Sequence, residues 1–221
     1  MRTAEGRVVV VGAGGHGSEI HSYIEDLVRE GWRGQFLGFL DDTKPKGREG
    51  RLDIIASVAD FAAQRPDGLG DILYLVAVGD NGKRAALVRE IEQSCGGRVR
   101  PWTLAHPCAC VGTSEIGAGT LLAPGSVVTA RTRIGRHAIL NVQASVSHDC
   151  EIGDYVNLNP GATVCGWCRI EDGAFIGAGA TVTDRIRIGN GSIIGAGAVV
   201  VCDIPPQVTA VGVPARIIRR H

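Results

Sequence analysis

Ile134-Gly135-Arg136-His137-Ala138-Ile139-Leu140-Asn141-Val142-Gln143-Ala144-Ser145-Val146-Ser147-His148-Asp149-Cys150-Glu151-Ile152 carries an aliphatic residue at every sixth place. Four places after each comes a smaller residue, Ala138, Ala144 or Cys150. The frame extends both ways, from Leu104, Cys110, Ile116, Leu122 and Val128 to Ile188, Ile194 and Val200, and only Cys110 among its lead residues is not aliphatic. A helix repeats every 3.6 residues and a half-buried strand every two, so neither yields this spacing. Hexapeptide repeats are the mark of a parallel β-helix. Each unit supplies one short strand and one corner, three units close a coil of a triangular prism, and coils stack about 4.8 Å apart. The lead fills the interior and the small residue fits beside it. Glycine directly after the lead, as in Ile116-Gly117 and Ile134-Gly135, eases a corner that needs positive φ or close backbone approach.

The bulk composition narrows the function. Lys plus Arg and Asp plus Glu balance at 23 each in 221 residues, which argues against a nucleic-acid partner. The apolar run Val8-Val9-Val10-Val11 is too short for a signal peptide or a membrane span, so a cytoplasmic protein without membrane insertion is expected. Cys165-Gly166-Trp167-Cys168 has redox spacing, but the frame turns Cys168 inward together with Cys108 and Cys150, and makes Cys110 a lead. These are expected as buried, reduced thiols acting as small hydrophobes; Cys95, Cys165 and Cys202 are left open.

Before the repeats the texture is that of alternating strands and helices. Arg7-Val11 reads as a buried strand, Ser18-Glu30 as an amphipathic helix, and Gln35-Leu40 as a second strand ending at Asp41-Asp42. A helix at Val58-Gln64, a strand at Asp71-Val78, a helix at Gly82-Ser94 and a strand at Arg98-Trp102 complete a βαβ arrangement with a parallel sheet. The expected architecture is therefore an α/β, Rossmann-like half domain over residues 1–102, then an all-β parallel β-helix over 103–221. Gly12-x-Gly14-x-x-Gly17 matches the dinucleotide fingerprint, with Asp41 or Asp42 as the following acid. Such glycines let a phosphate approach a helix N-terminus. A plain strand-to-helix turn is the competing reading. Only about half of a doubly wound domain precedes the prism, which favours a nucleotide-linked ligand over NAD chemistry.

Chemistry-bearing residues are few in the repeats. His106, His137 and His148 fall on three different faces, so one chain cannot gather them around a metal, and no metal site is expected. His148 differs from the others in its surroundings. Asp149 follows it, Gly166 stacks one coil above it, and Arg131 and Trp167 stack on either side of Asp149. A histidine at a corner beneath a glycine leaves room for the reacting end of a ligand, although a solvated corner pair is the plain structural alternative.

Taken together, Gly14-Gly15-His16-Gly17, Asp41-Asp42, Gly79-Asp80-Asn81, Leu104-Ala105-His106-Pro107, Asn141, His148-Asp149-Cys150, the hexapeptides and Val211-Gly212-Val213-Pro214-Ala215-Arg216 resemble one family. It is the sugar O-/N-acyltransferases of the left-handed β-helix type, related to sialic acid O-acetyltransferase and to bacterial acetyltransferases of UDP-linked 4-amino sugars. The resemblance covers nearly the whole chain. It implies a left-handed prism, a homotrimer with acetyl-CoA as co-substrate in grooves between subunits, and a nucleotide sugar held by the N-terminal domain. On that resemblance His148 is the general base, Asp149 its partner, and Gly166 the oxyanion donor. Asn157, Gly177 and Arg216 lie along acetyl-CoA, and Gly12, Gly14, His16, Asp41, Asp42 and Asn141 meet the nucleotide sugar. Asn157 departs from a histidine found there in amino-sugar enzymes, which leaves the acceptor open.

The expected function is acetyl transfer to a nucleotide-linked amino sugar, N-acetylation of a 4-amino-4,6-dideoxy sugar for bacterial surface glycans, by direct attack. O-acetylation of sialic acid is the near alternative. A nucleotide-dependent oxidoreductase and a non-catalytic trimeric scaffold are the alternatives from other classes, and neither requires a His-Asp pair at a corner. A covalent route through Cys150 is disfavoured because the frame turns that side chain inward.

Overall fold

A computed structural model of the chain describes residues 3–63 and 72–221. It comprises two compact units, one up to Pro107 and one from Cys108 to His221.

In the first unit the elements are β1 (Arg7–Val11), α1 (Gly15–Arg29), β2 (Gln35–Leu40), β3 (Gly47–Glu49), β4 (Leu52–Ala56), α2 (Val58–Ala63), β5 (Ile72–Val76), α3 (Asn81–Cys95) and β6 (Val99–Pro101). They form one sheet in the order β3-β4-β2-β1-β5-β6. Every pairing is parallel except the β3–β4 hairpin. β1 lies centrally because Val8, Val9 and Val10 have no polar side chain to expose, and all three are fully buried. On α1, Ile20, Tyr23, Ile24 and Leu27 bury one face at helical spacing. α3 begins at Asp80, whose carboxylate accepts the Lys83 N–H at 2.8 Å.

Most expected elements are present, with α1 starting three residues earlier than predicted and β6 shorter. The expected helix end at Gln64 and strand start at Asp71 lie outside the described residues. β3 and β4 were not anticipated. Leu52, Ile54 and Ala56 do alternate into the core, but they follow the loop-like stretch Lys44-Pro45-Lys46-Gly47, which masks the signal.

The second unit is the left-handed β-helix, built of two-residue strands in three sheets. Val128 stacks on Val146, Ile134 on Ile152, and Leu140 on Leu158, each pair one coil apart. From Val128 to Val200 every lead residue is at most 2% exposed. Burial of this kind stabilises by about 1.5–3 kcal/mol per side chain.

The frame is broken once near its start. Val128 pairs with Val111, and Cys110 pairs with the outward Val127, so Val111 is the lead of that coil. A shift of one residue turns a side chain to the opposite face. Cys110 is accordingly exposed, and Cys108 with it, contrary to the burial expected for both. The β-branched Val111 suits the interior better than a thiol. Cys150 and Cys168 do point inward and are buried, as is Cys95 in α3.

Corners follow a second rule. The third residue after the lead takes positive φ whether or not it is glycine, as at Arg131 (51°), Asp149 (56°) and Trp167 (56°). Glycines directly after the lead serve close approach instead. A β-carbon on Gly135 would lie 2.4 Å from the carbonyl carbon of Gly153 in the next coil. Beyond Val200 the coil shortens, Ile204 bridging to Ile188 and Ala210 pairing with Ile194. The chain ends in an antiparallel hairpin of Val208–Val211 and Arg216–Arg220.

Candidate active site

The strand Ser145–Val146 runs into a corner formed by His148 and Asp149. Coil stacking places Arg131 below Asp149, and its Nε and Nη2 donate to Oδ1 and Oδ2 of that carboxylate, each at 2.7 Å. The same Oδ2 lies 2.8 Å from His148 Nδ1. An ionised carboxylate only accepts, so a neutral His148 carries its proton on Nδ1 and leaves Nε2 as a bare acceptor. The Arg131 guanidinium, followed by His148, holds the Asp149 carboxyl at about 2, which keeps it ionised at any working pH. Arg131 is thus the part of the site that its stacked position signalled without a role attached.

The His148 side chain is 42% exposed and its ring lies against Gly166. A β-carbon at position 166 would come within 2.8 Å of His148 Cε1, so only glycine leaves the imidazole this place. Trp167 meets the ring edge-on at 4.5 Å and is itself half exposed, with the Arg185 guanidinium over its face. The Gly166 N–H, expected as an oxyanion donor, does not point into free space. It donates to Asp184 Oδ1 at 2.9 Å. The physical reason is the stacking itself, which sets an aspartate directly above that glycine.

Cys150 is 1% exposed, and its thiol donates to the Cys165 carbonyl at 3.1 Å. Its side-chain interaction with Cys168, followed by burial, pushes this thiol well above the ordinary range, so it is no nucleophile. All seven cysteines are free. Cys168 faces the interior and donates to the Thr183 carbonyl at 3.0 Å.

The remaining expected residues are spread along the prism. Asn157 is buried at an outward strand position between Ile139 and Phe175. Gly177 is buried, and a β-carbon there would sit 2.5 Å from the Ala196 nitrogen, so it permits stacking. Asn141 Oδ1 accepts the neighbouring Val142 N–H at 2.7 Å. Arg216 is exposed on the C-terminal hairpin. His137 is buried and stacks on Tyr155, and His106 contacts Asp26 of α1 at 3.1 Å. The three repeat-region histidines therefore serve separate surroundings. Among the described residues no group of His, Cys, Asp or Glu is arranged to hold a metal ion, and no helix is long and apolar enough to cross a membrane.

In the first unit the glycine-rich turn joins β1 to α1. Gly12 has φ of 101°, and a β-carbon on Gly17 would strike the Gly12 carbonyl oxygen at 2.3 Å, so these two glycines serve the turn and the packing. Gly14 has open space around its missing side chain. Asp41 accepts the Ala13 N–H at 2.8 Å and the Thr43 hydroxyl at 2.7 Å. Burial would raise the Asp41 carboxyl, but these hydrogen bonds and Lys44 hold it below its ordinary value. Asp42 accepts the Val58 N–H at 2.8 Å and so starts α2. His16 Nδ1 pairs with Glu19 at 2.9 Å, and its Nε2 is buried without a hydrogen bond. The turn thus keeps Gly14 and His16 near the end of β1, while Asp41 and Asp42 are engaged with backbone.

Two family models match the chain: the PglD N-terminal domain over residues 7–91, and the bacterial transferase hexapeptide (six repeats) over residues 168–202. Among solved structures, the H141N mutant of perosamine N-acetyltransferase from Caulobacter crescentus, in complex with CoA and GDP-perosamine, is 30% identical, with a TM-score of 0.87 over 99% of this chain and 100% of that one. The acetyltransferase domain of PglB from Neisseria gonorrhoeae, in complex with acetyl coenzyme A, is 32% identical, with a TM-score of 0.85 over 97% of this chain and 100% of that one. WeeI from Acinetobacter baumannii is 33% identical, with a TM-score of 0.84 over 96% and 100%. No curated protein matches the sequence.

Proposed function

The chain belongs to the hexapeptide-repeat sugar acyltransferases, and from that premise we propose that it moves an acetyl group from acetyl-CoA to the amine of a nucleotide-linked amino sugar, with His148 as the general base. The observation that carries this reading is the Arg131-Asp149-His148 chain ending in the Nε2 of a partly exposed imidazole. Structures at 30–32% identity that hold CoA with GDP-perosamine, or acetyl coenzyme A, support the two substrates. A 4-amino-4,6-dideoxy sugar destined for bacterial surface glycan is the acceptor we favour over the hydroxyl of sialic acid.

Acetyl-CoA supplies an activated thioester carbonyl. The corner fits that chemistry, because the imidazole is reachable from solvent and the missing side chain at Gly166 lets the ring lie against the backbone of the next coil. Asp149 fixes the imidazole tautomer through Nδ1 and stabilises the cation that forms. His148 Nε2 takes the proton from the amine as its nitrogen bonds to the acyl carbon, and returns it to the sulfur when the carbon–sulfur bond breaks. No acyl-enzyme is required, which agrees with the inward Cys150. General-base assistance of this kind contributes about 10²–10⁴ in rate.

One chain leaves His148 on an open corner, so we assign the missing wall of the cleft to a neighbouring subunit of a homotrimer. Along that cleft Asn157, Gly177 and Arg216 would flank acetyl-CoA, and Asn141 the acceptor. Gly12, Gly14 and His16 would meet the nucleotide end of the sugar, with Asp41 holding their turn through the Ala13 N–H and Asp42 capping α2. The deciding experiment is thioester cleavage with acetyl-CoA against UDP-, GDP- and dTDP-linked amino sugars and free sialic acid. A nucleotide-linked amine is expected to be the substrate, and His148→Ala to lose about 10²–10⁴ of kcat while still binding CoA. Full activity in that variant would refute the role, and preference for sialic acid would refute the acceptor.

A further inference from the structure

In the prism the backbone ladder consumes the N–H groups on either side of each lead, as where Gly135 donates to the Ile152 carbonyl. At three places the second residue after the lead is closed differently, by an aspartate side chain from the coil above. Arg136 donates to Asp154 at 2.7 Å, Asp154 to Asp172 at 2.8 Å, and Gly166 to Asp184 at 2.9 Å. The first two lie along another edge, where Asp154 and Asp172 line a groove with Arg133 and Arg169. The third lies against His148.

At that third place one N–H is wanted by two acceptors. The thioester carbonyl must come within reach of an amine that His148 Nε2 can deprotonate, and the imidazole ring lies against Gly166. An N–H there stabilises the acyl oxygen as charge develops on it. In the structure that N–H is given to a carboxylate, a stronger acceptor than a ground-state carbonyl. Asp184 is exposed and stands one coil above the glycine it caps, so its side chain can turn to solvent without disturbing the core.

We infer that Asp184 is a displaceable plug on the oxyanion donor: its carboxylate caps the Gly166 N–H in the free enzyme, and the acyl group of acetyl-CoA must take that hydrogen bond from it. The inference rests on the acetyl-transfer reading. It makes Asp184 a positioning residue that weakens binding of the acyl donor without touching the transferred atoms, and it keeps the donor satisfied until a thioester arrives.

The test compares acetyl-CoA with CoA, which lacks the carbonyl, by calorimetry on wild-type protein, Asp184→Ala and Asp184→Asn. Loss of a negative charge strengthens both ligands alike, so the plug is read from the ratio of their Kd values. Asp184→Ala is expected to shift that ratio toward acetyl-CoA by roughly tenfold, the order of one charge-assisted hydrogen bond weakened by solvent. KM for acetyl-CoA should fall with it while kcat changes little, a split that mere loosening of the corner would not give. Asp184→Asn, nearly isosteric and a weaker acceptor, is expected to fall between, and decides the matter if the alanine variant does not fold. An unchanged ratio, or one shifted toward CoA, would overturn the plug. Failure of wild-type protein to bind acetyl-CoA at all would instead remove the acetyl-transfer reading and the plug together.

Discussion

Asp149 is held between a cation and an imidazole, and its Oδ2 serves both. Asp149→Asn replaces a pure acceptor by a group that also donates, so the amide must either face its NH2 to Arg131 or offer the wrong partner to His148 Nδ1. The expected result is a fall in kcat/KM on the order of a hundredfold with little change in acetyl-CoA binding, measured by steady-state kinetics and calorimetry. The same change alters acid stability. Because Asp149 sits at about 2 against an ordinary 3.8, its ion pair stabilises the fold fully above about pH 4 and is lost as pH falls through the folded value. Melting temperatures of the Asn variant should therefore decline less between pH 4 and pH 2 than those of the parent. The Arg131-Asp149-Trp167 column and the Gly166 space over His148 were legible from coil spacing alone. The hold of Asp184 on Gly166 was not, because a side chain reaching a backbone N–H leaves no mark in a pattern of apolar positions.

Within the elements, the six-residue period exposed the prism because each lead residue from Val128 to Val200 is buried and every coil repeats the same three corners. It misled at Cys110, where a one-residue slip costs nothing in composition, since Val111 stands ready to take the interior place. It also put the whole burden of the corner on the glycines after the leads. The structure separates two tasks: positive φ is borne by residues such as Asp149 and Trp167, and close stacking by glycines such as Gly135. Gly135→Ala would drive a methyl into the Gly153 carbonyl and is expected to destabilise by about 1–3 kcal/mol, seen as a lower thermal midpoint. A midpoint equal to the parent's would mean that the coils slide apart freely. In the first unit β3 and β4 escaped notice because three core residues, Leu52, Ile54 and Ala56, follow a stretch whose glycine, proline and charges read as loop.

At the scale of the molecule, one outward sheet is a ladder of exposed charges, Glu115, Arg133, Glu151, Arg169 and Arg187, suited to water. The sheet that leads into His148 presents the small, half-buried Ser145, Thr163 and Thr181. That asymmetry suits the proposed trimer, and sedimentation equilibrium should return three times the 23.1 kDa chain mass. A monomer with full activity would show that the cleft needs no neighbour. The C-terminal hairpin carries a consequence of its own. A parallel solenoid has no intrinsic stopping point, since each finished coil offers the next a template of unmatched amides. By reversing direction and lining the outermost strand of its sheet with the exposed Arg216, Arg219 and Arg220, the hairpin gives that edge a charged border that works against pairing with a further strand.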